Sequence, residues 1–195
     1  MVRLLSSRLA DFLIENKIVE AEDKEIYIYG YEILISSAIG VALVLILGFL
    51  FNLVIETVIF LAEFILIRQS CGGYHANSYL KCILSFLSVF VLVILALNIF
   101  LVHYSYLIWI VLSAMCMSVM MELSPIENIN KPLTQKTKSR NRKISIVLSA
   151  VVIIAAAILL GLDARKSLLI MLTLTAICLL MMYERLKGGA NDEEH

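Results

Sequence analysis

The chain has 195 residues, 61% of them hydrophobic and only 16% charged, and its 16 basic and 16 acidic residues cancel. A charged fraction well below the roughly 25% of a soluble domain excludes an ordinary water-soluble globule, and zero net charge supplies no bulk field for nucleic acid or another polyanion. Four cysteines without repeated CxxC spacing argue against a zinc ribbon or a disulfide framework, and Cys116 and Cys178, inside apolar runs, read as packing residues.

At the N-terminus, Val2, Leu5, Leu9 and Phe12 recur at three- and four-residue spacing with Arg3, Ser7 and Asp11 among the polar positions between them. This periodicity predicts an amphipathic helix lying in the membrane interface, within a segment spanning residues 1–30. The first apolar run begins only at Ile33, so no cleavable secretory signal is expected. A hydrocarbon core of about 30 Å requires about 20 apolar residues in a helix. Six runs approach that length, at 33–51, 53–67, 83–102, 104–121, 144–162 and 167–183. The expected fold is an all-α integral membrane protein of about six transmembrane helices, preceded by the interfacial helix and arranged as helical pairs at 33–67, 83–121 and 144–183, with a tail at 184–195.

The second run is the shortest and the only one interrupted by charge, at Glu56 and Glu63. These two lie seven residues apart on one helical face, and an intramembrane carboxylate is costly enough to suggest function by default. Glu56, near one membrane surface, reads as structural. Glu63 lies five residues before Arg68 near the other surface, and its reading stays open between wet or interfacial surroundings and a supporting role at the site. A small transporter or ion pathway using Glu56 and Glu63 is the rival reading of the chain.

Orientation follows from the basic residues, because cytoplasmic loops carry the excess of Lys and Arg. Fourteen of the 16 fall in the N-terminal segment, in 68–82, in 124–143 and in the C-terminal tail, leaving Arg165 and Lys166 for the opposite side. Six spans with both termini and the 68–82 segment in the cytoplasm fit this asymmetry.

The segment between the second and third runs reads Arg68-Gln69-Ser70-Cys71-Gly72-Gly73-Tyr74-His75-Ala76-Asn77-Ser78-Tyr79-Leu80-Lys81-Cys82. In the cytoplasm Cys71 and Cys82 are expected as free thiols. His75 and Cys82 stand seven residues apart, which on one straight helix separates them by roughly 10.5 Å along the axis. A base must approach its nucleophile to about 3 Å, so joint catalysis requires a chain break, for which Gly72-Gly73 and the cap-competent Asn77 and Ser78 offer means. Taken alone, His75 is equally a hydrogen-bonded interfacial histidine and Cys82 a small hydrophobe opening a span. Cys71, His75 and Cys82 match no standard zinc motif and lack a clear fourth ligand, so no metal or other cofactor is expected. Arg68 reads equally as a carboxylate anchor for substrate or a headgroup anchor for its span, and Gln69, Gly72 and Gly73 as donors to a developing oxyanion.

The chain resembles the accessory gene regulator B proteins, membrane cysteine endopeptidases that mature quorum-sensing peptides. The resemblance rests on the 68–82 segment with its Gly-Gly-Tyr-His-Ala core and a cysteine seven residues after the histidine, and on Pro125 with Asn130-Lys131-Pro132-Leu133 later in the chain. Size and span order agree as well. It implies Cys82 as nucleophile and His75 as general base and later general acid. It further implies a short amphipathic precursor with an acidic C-terminal part, cleaved and cyclised through an acyl-enzyme thioester, in the plasma membrane of a Gram-positive bacterium. Cys71 departs from the family pattern, where a small residue such as Ala is expected, and brings a second thiol near the site. The 124–143 loop carries Lys131, Lys136, Lys138, Arg140, Arg142 and Lys143 against Glu127 alone. That cluster suits anionic headgroups or the acidic part of a precursor, and topology determination alone would also explain it. Pairing of two copies is a further expectation.

Overall fold

The computed structural model describes residues 2–72, 79–100, 106–126 and 134–192, with side chains up to residue 187. His75 and Gly73 of the expected catalytic segment, and Lys131 of the basic cluster, lie outside the described residues. The described chain forms seven α-helices: α1 (Val2–Glu15), α2 (Lys24–Leu50), α3 (Val54–Cys71), α4 (Tyr79–Phe100), α5 (Tyr106–Leu123), α6 (Gln135–Leu160) and α7 (Ala164–Asp192). The protein is thus an all-α membrane protein.

Helix α1 docks on α2 through its small face, with Ser6 and Ala10 fully covered, and Lys24 pairs with Asp11 at 2.6 Å. The apolar stripe Leu5, Leu9 and Phe12 remains exposed, which suits a helix offering that stripe to an interface.

Five helices, α2 and α4 to α7, are long and apolar enough to cross a bilayer. The second expected span, α3, falls outside that set because Glu56, Glu63 and Arg68 interrupt its 18 residues. Its charged face instead turns into the bundle, while Ile55, Val58 and Leu66 on the opposite face stay exposed. α3 packs against α2, α6 and α7, and its Thr57, Phe60, Leu61, Glu63, Phe64 and Ile67 are buried. α7 is the other interior helix, 56% buried over its apolar window where the remaining spans are 17–22% buried. A helix screened by protein tolerates charge that a lipid-facing helix would not.

Close packing against α2 follows from a stripe of every fourth residue, Glu32, Ser36, Gly40, Val44 and Gly48, all buried. Gly40 receives the Phe86 ring of α4, and a Cβ at Gly48 would collide with the Thr57 side chain of α3. Small residues permit such close approach where no hydrophobic gain from lipid drives association.

Helices α2 to α7 alternate in direction, as contacts at the two ends require. At one end Arg165, in the first turn of α7, donates to Glu56 at 2.9 Å in the first turn of α3 and to Asn98 at 3.3 Å near the end of α4. Beside it Asp163 caps α7 by accepting from the Lys166 amide at 3.1 Å. At the other end Tyr79 at the start of α4 donates to Glu32 on α2, and Ser124 just past α5 bonds Ser145 near the start of α6.

Candidate active site

A ladder of phenylalanines builds the site. Phe60 and Phe64 lie one turn apart on α3, Phe86 and Phe90 one turn apart on α4, and their rings interlock: Phe64–Phe86 centroids are 5.0 Å apart, Phe60–Phe86 5.9 Å and Phe60–Phe90 5.2 Å. Because the helices run antiparallel, the next rung is Arg68 on α3 and Cys82 on α4, each four residues beyond a ring. Cys82 continues the α4 stripe of Phe86, Phe90, Val93 and Leu97, the last three buried, so it stands on the inward face near the start of α4. Arg68 lies 5.3 Å over the Phe64 ring, a cation–π contact, and its electrostatic neighbours are Cys82, Cys71 and Glu184.

The two candidate thiols differ sharply. Cys71 is fully buried in the core and its Sγ–H donates to the Gly72 carbonyl at 3.3 Å, whereas Cys82 is exposed at the bundle end. All four cysteines are unpaired thiols. Cys116 and Cys178 pack together deeper in the bundle, with Cys178 Sγ 3.7 Å from the Cys116 carbonyl and Cys116 Sγ 3.5 Å from the Thr175 hydroxyl.

Gly72 ends α3 in a conformation that L residues rarely adopt, at φ 72° and ψ −152°. Its amide donates to the Arg68 carbonyl at 3.2 Å, so this N–H closes the helix and is not offered to an oxyanion. Gln69 lies on the exposed side of α3, away from the buried Ser70 and Cys71. Glu63, left open by the sequence, does not reach wet surroundings. It is buried, and neither carboxyl oxygen has a hydrogen-bond partner among the described residues, because α3 turns that face toward Cys116 on α5 and not toward the bundle end. Glu56 is structural as expected, through Arg165.

The basic cluster belongs largely to a helix and not to a loop. Thr134 caps α6, accepting from the Thr137 amide at 3.4 Å, and Lys136, Lys138, Arg140, Arg142 and Lys143 fall within the first nine residues of that helix. Cations at a helix N-terminus oppose its macrodipole. Arg142 is already engaged, donating to the Met121 carbonyl of α5 at 2.8 Å, while Lys136, Arg140 and Lys143 are exposed. Among the described residues no three His, Cys, Asp or Glu side chains converge as a metal site.

Three features of this end escape sequence reading. Glu184, near the end of the last span, carried no signal beyond being an acid beside Arg185 and Lys187. The Tyr79–Glu32 bond joins residues 47 apart, and the backbone of Ile126, just past Pro125, bonds the Cys71 carbonyl at 2.9 Å.

The accessory gene regulator B family model matches residues 6–184. AgrB-like protein 2 of Clostridium perfringens (strain 13 / Type A) is 30% identical over 154 residues, covering 73% of this chain and 70% of that protein. An AgrB-like protein of Clostridium perfringens (strain SM101 / Type A) matches with the same identity and coverage. No solved structure matches the chain.

Proposed function

Since the chain belongs to the accessory gene regulator B family, a family of quorum-sensing peptide processing, we propose that it is a membrane cysteine endopeptidase that cleaves a short precursor and promotes its cyclisation. The observation that carries this reading is the placement of Cys82: an exposed thiol on the inward face of α4, one turn above a buried aromatic ladder and beside Arg68. Cys71, the competing thiol, is buried.

His75 takes the Cys82 proton, and the sulfur attacks a carbonyl of the precursor. The C–N bond breaks, His75 protonates the departing amine, and the acyl group remains on Cys82 as a thioester. A Cys or Ser of the acyl part then attacks the thioester, closes a thiolactone or lactone and returns the proton through His75 to Cys82. No net redox change occurs and no cofactor is required. The apolar rungs below the site exclude water, which would otherwise hydrolyse the thioester. Arg68 supports a substrate carbonyl or carboxylate next to the nucleophile. The exposed cations of α6, poorly placed for their own helix, suit the acidic C-terminal part of the precursor.

In this reading the protein lies in the plasma membrane with both termini and the site in the cytoplasm, consistent with its basic residues. The transporter alternative has lost Glu56 to the ion pair with Arg165 and keeps a single carboxyl of that pair, Glu63, whose oxygens have no hydrogen-bond partner among the described residues. The test is co-expression of the full chain with a short precursor that has an amphipathic start, an internal Cys or Ser and an acidic end. A cyclic product is expected with the wild type and none with His75→Ala; equal product from both would defeat the reading.

A further inference from the structure

The two sequence motifs far apart in the chain meet in space through backbone alone. Ile126 follows Pro125 at the head of the basic stretch, and Gly72 opens the glycine pair that precedes His75. The Ile126 amide donates to the Cys71 carbonyl at 2.9 Å, and Gly72 and Ile126 form a parallel bridge. Only glycine fits this clasp. Its φ of 72° disfavours any L side chain, and a Cβ at Gly72 would collide with the Ile126 carbonyl oxygen. Ile126 itself is half-buried against the core, so its backbone is held by packing as well as by hydrogen bonding.

The partner side of the clasp is fixed twice more. Ser124 bonds Ser145 and Arg142 donates to the Met121 carbonyl, so the end of α5, the residues after it and the start of α6 form one unit. The clasp therefore fastens the end of α3 to a rigid support. Three peptide links separate Gly72 from His75, a reach of at most about 11 Å. Gly72 lies four residues beyond Arg68, about 6 Å along the axis, and Arg68 neighbours Cys82. The point at which the chain leaves Gly72 thus bounds how far His75 can lie from it.

We propose that Gly72 and Ile126 are positioning residues for the reaction at Cys82, their backbone clasp setting the departure point of the His75 segment. This rests on the reading of Cys82 and His75 as a catalytic pair. Neither residue touches substrate. Both act through the geometry of the histidine that follows.

The test measures alkylation of Cys82 by iodoacetamide in the full-length protein in detergent, as a function of pH, with thermal melting and gel filtration reporting the fold. Wild type and Ile126→Val, which keeps the amide donor, should show Cys82 reacting at least about tenfold faster than His75→Ala near neutral pH, a modest share of what general-base assistance supplies. Gly72→Ala, and Ile126→Pro, which lacks the N–H, should fold yet drop to the His75→Ala rate and lose its pH profile. If both keep the wild-type rate and profile, the clasp does not position His75 and the inference falls while the catalytic pair stands. If the wild type itself shows no dependence on His75, the catalytic reading fails and takes the inference with it. Should both variants fail to fold, hydrogen exchange on the wild type decides: slow exchange at the Ile126 amide is expected, and exchange at the unprotected rate overturns the clasp.

Discussion

Arg68 and Cys82 each stand one helical turn beyond a ring of the Phe64–Phe86 pair, whose centroids are 5.0 Å apart, and lie within electrostatic range of each other. This relationship converts two residues separated by 14 positions into one site, and it does so without the intervening loop. Antiparallel helices with large side chains at matching four-residue steps fix both axial register and rotation.

If the ladder sets that register, truncating one rung should disturb the rung above it. Phe64→Ala removes a buried ring that touches Phe60, Phe86 and the Arg68 guanidinium, and should cost about 3–5 kcal/mol of stability. Processing per folded molecule should fall with it, since Arg68 loses its seat. Phe64→Leu, which keeps most of the volume, should recover most of both. Thermal melting combined with product yield in membranes separates the two effects.

The two thiols near Arg68 should separate cleanly by function. Cys71→Ser places a hydroxyl in a fully buried site that already offers the Gly72 carbonyl as acceptor, so processing should persist with a stability loss on the order of 1–3 kcal/mol. Cys82→Ser should abolish processing and leave the melting temperature nearly unchanged, because the residue is exposed. The reverse pattern would move the nucleophile to Cys71.

Tyr79 should matter out of proportion to its chemistry. Its hydroxyl donates to the buried Glu32 and pins the first turn of α4, three residues before Cys82. Tyr79→Phe leaves that carboxylate without its donor and should cost about 1.5–3 kcal/mol. Glu32→Gln, which retains an acceptor oxygen, should cost less. Both losses should appear in melting curves and, more steeply for Tyr79→Phe, in processing rate.

Glu56, half-buried in an ion pair, and Glu63, buried without a partner among the described residues, should behave differently. Breaking the Glu56–Arg165 pair with Glu56→Gln should destabilise the bundle end opposite Cys82, and processing per folded molecule should remain. Glu63→Gln should be neutral or stabilising, because it removes a carboxyl whose two oxygens have no hydrogen-bond partner among the described residues. A coupled ion flux in vesicles that vanishes with Glu63→Gln while Cys82→Ser leaves it intact would instead favour the transporter reading.

The exposed cations at the start of α6 should show in the salt dependence of the reaction. Replacing Lys136, Arg140 and Lys143 with Glu spares Arg142, which bonds the α5 end, and should raise the KM for a precursor with an acidic tail while leaving kcat close to wild type. The same precursor with a neutral tail should lose most of that difference, and the wild-type KM should rise with ionic strength.

Much of this was legible in the sequence. Composition and run length gave the all-α membrane class, and the spacing of Val2, Leu5, Leu9 and Phe12 gave α1. The breaks between runs located each helix to within a few residues, except that α2 starts at Lys24 and α6 at Gln135, well before their apolar parts, and α7 runs on to Asp192, well past its own. Helices that project past the hydrocarbon carry polar residues there, and apolar counting cannot see them. The nature of α3 was hidden for a related reason: its charges looked like interruptions of a lipid-facing span, but they fall on the face that neighbouring helices cover, opposite exposed Ile55, Val58 and Leu66. Glu63 stayed open because helical periodicity gives the face a residue shares, not what stands opposite that face. The Ile126–Cys71 and Tyr79–Glu32 bonds join residues 55 and 47 positions apart, and no local pattern encodes such pairings.

The most direct test of the central claim is mass spectrometry of the protein recovered from cells co-expressing a short precursor, with the sample quenched in acid to preserve thioesters. An adduct on Cys82 is expected, its mass equal to the N-terminal part of the precursor, labile to hydroxylamine and absent in Cys82→Ser. A cleaved, cyclised peptide formed with the adduct on Cys71, or formed undiminished by Cys82→Ser, would contradict it.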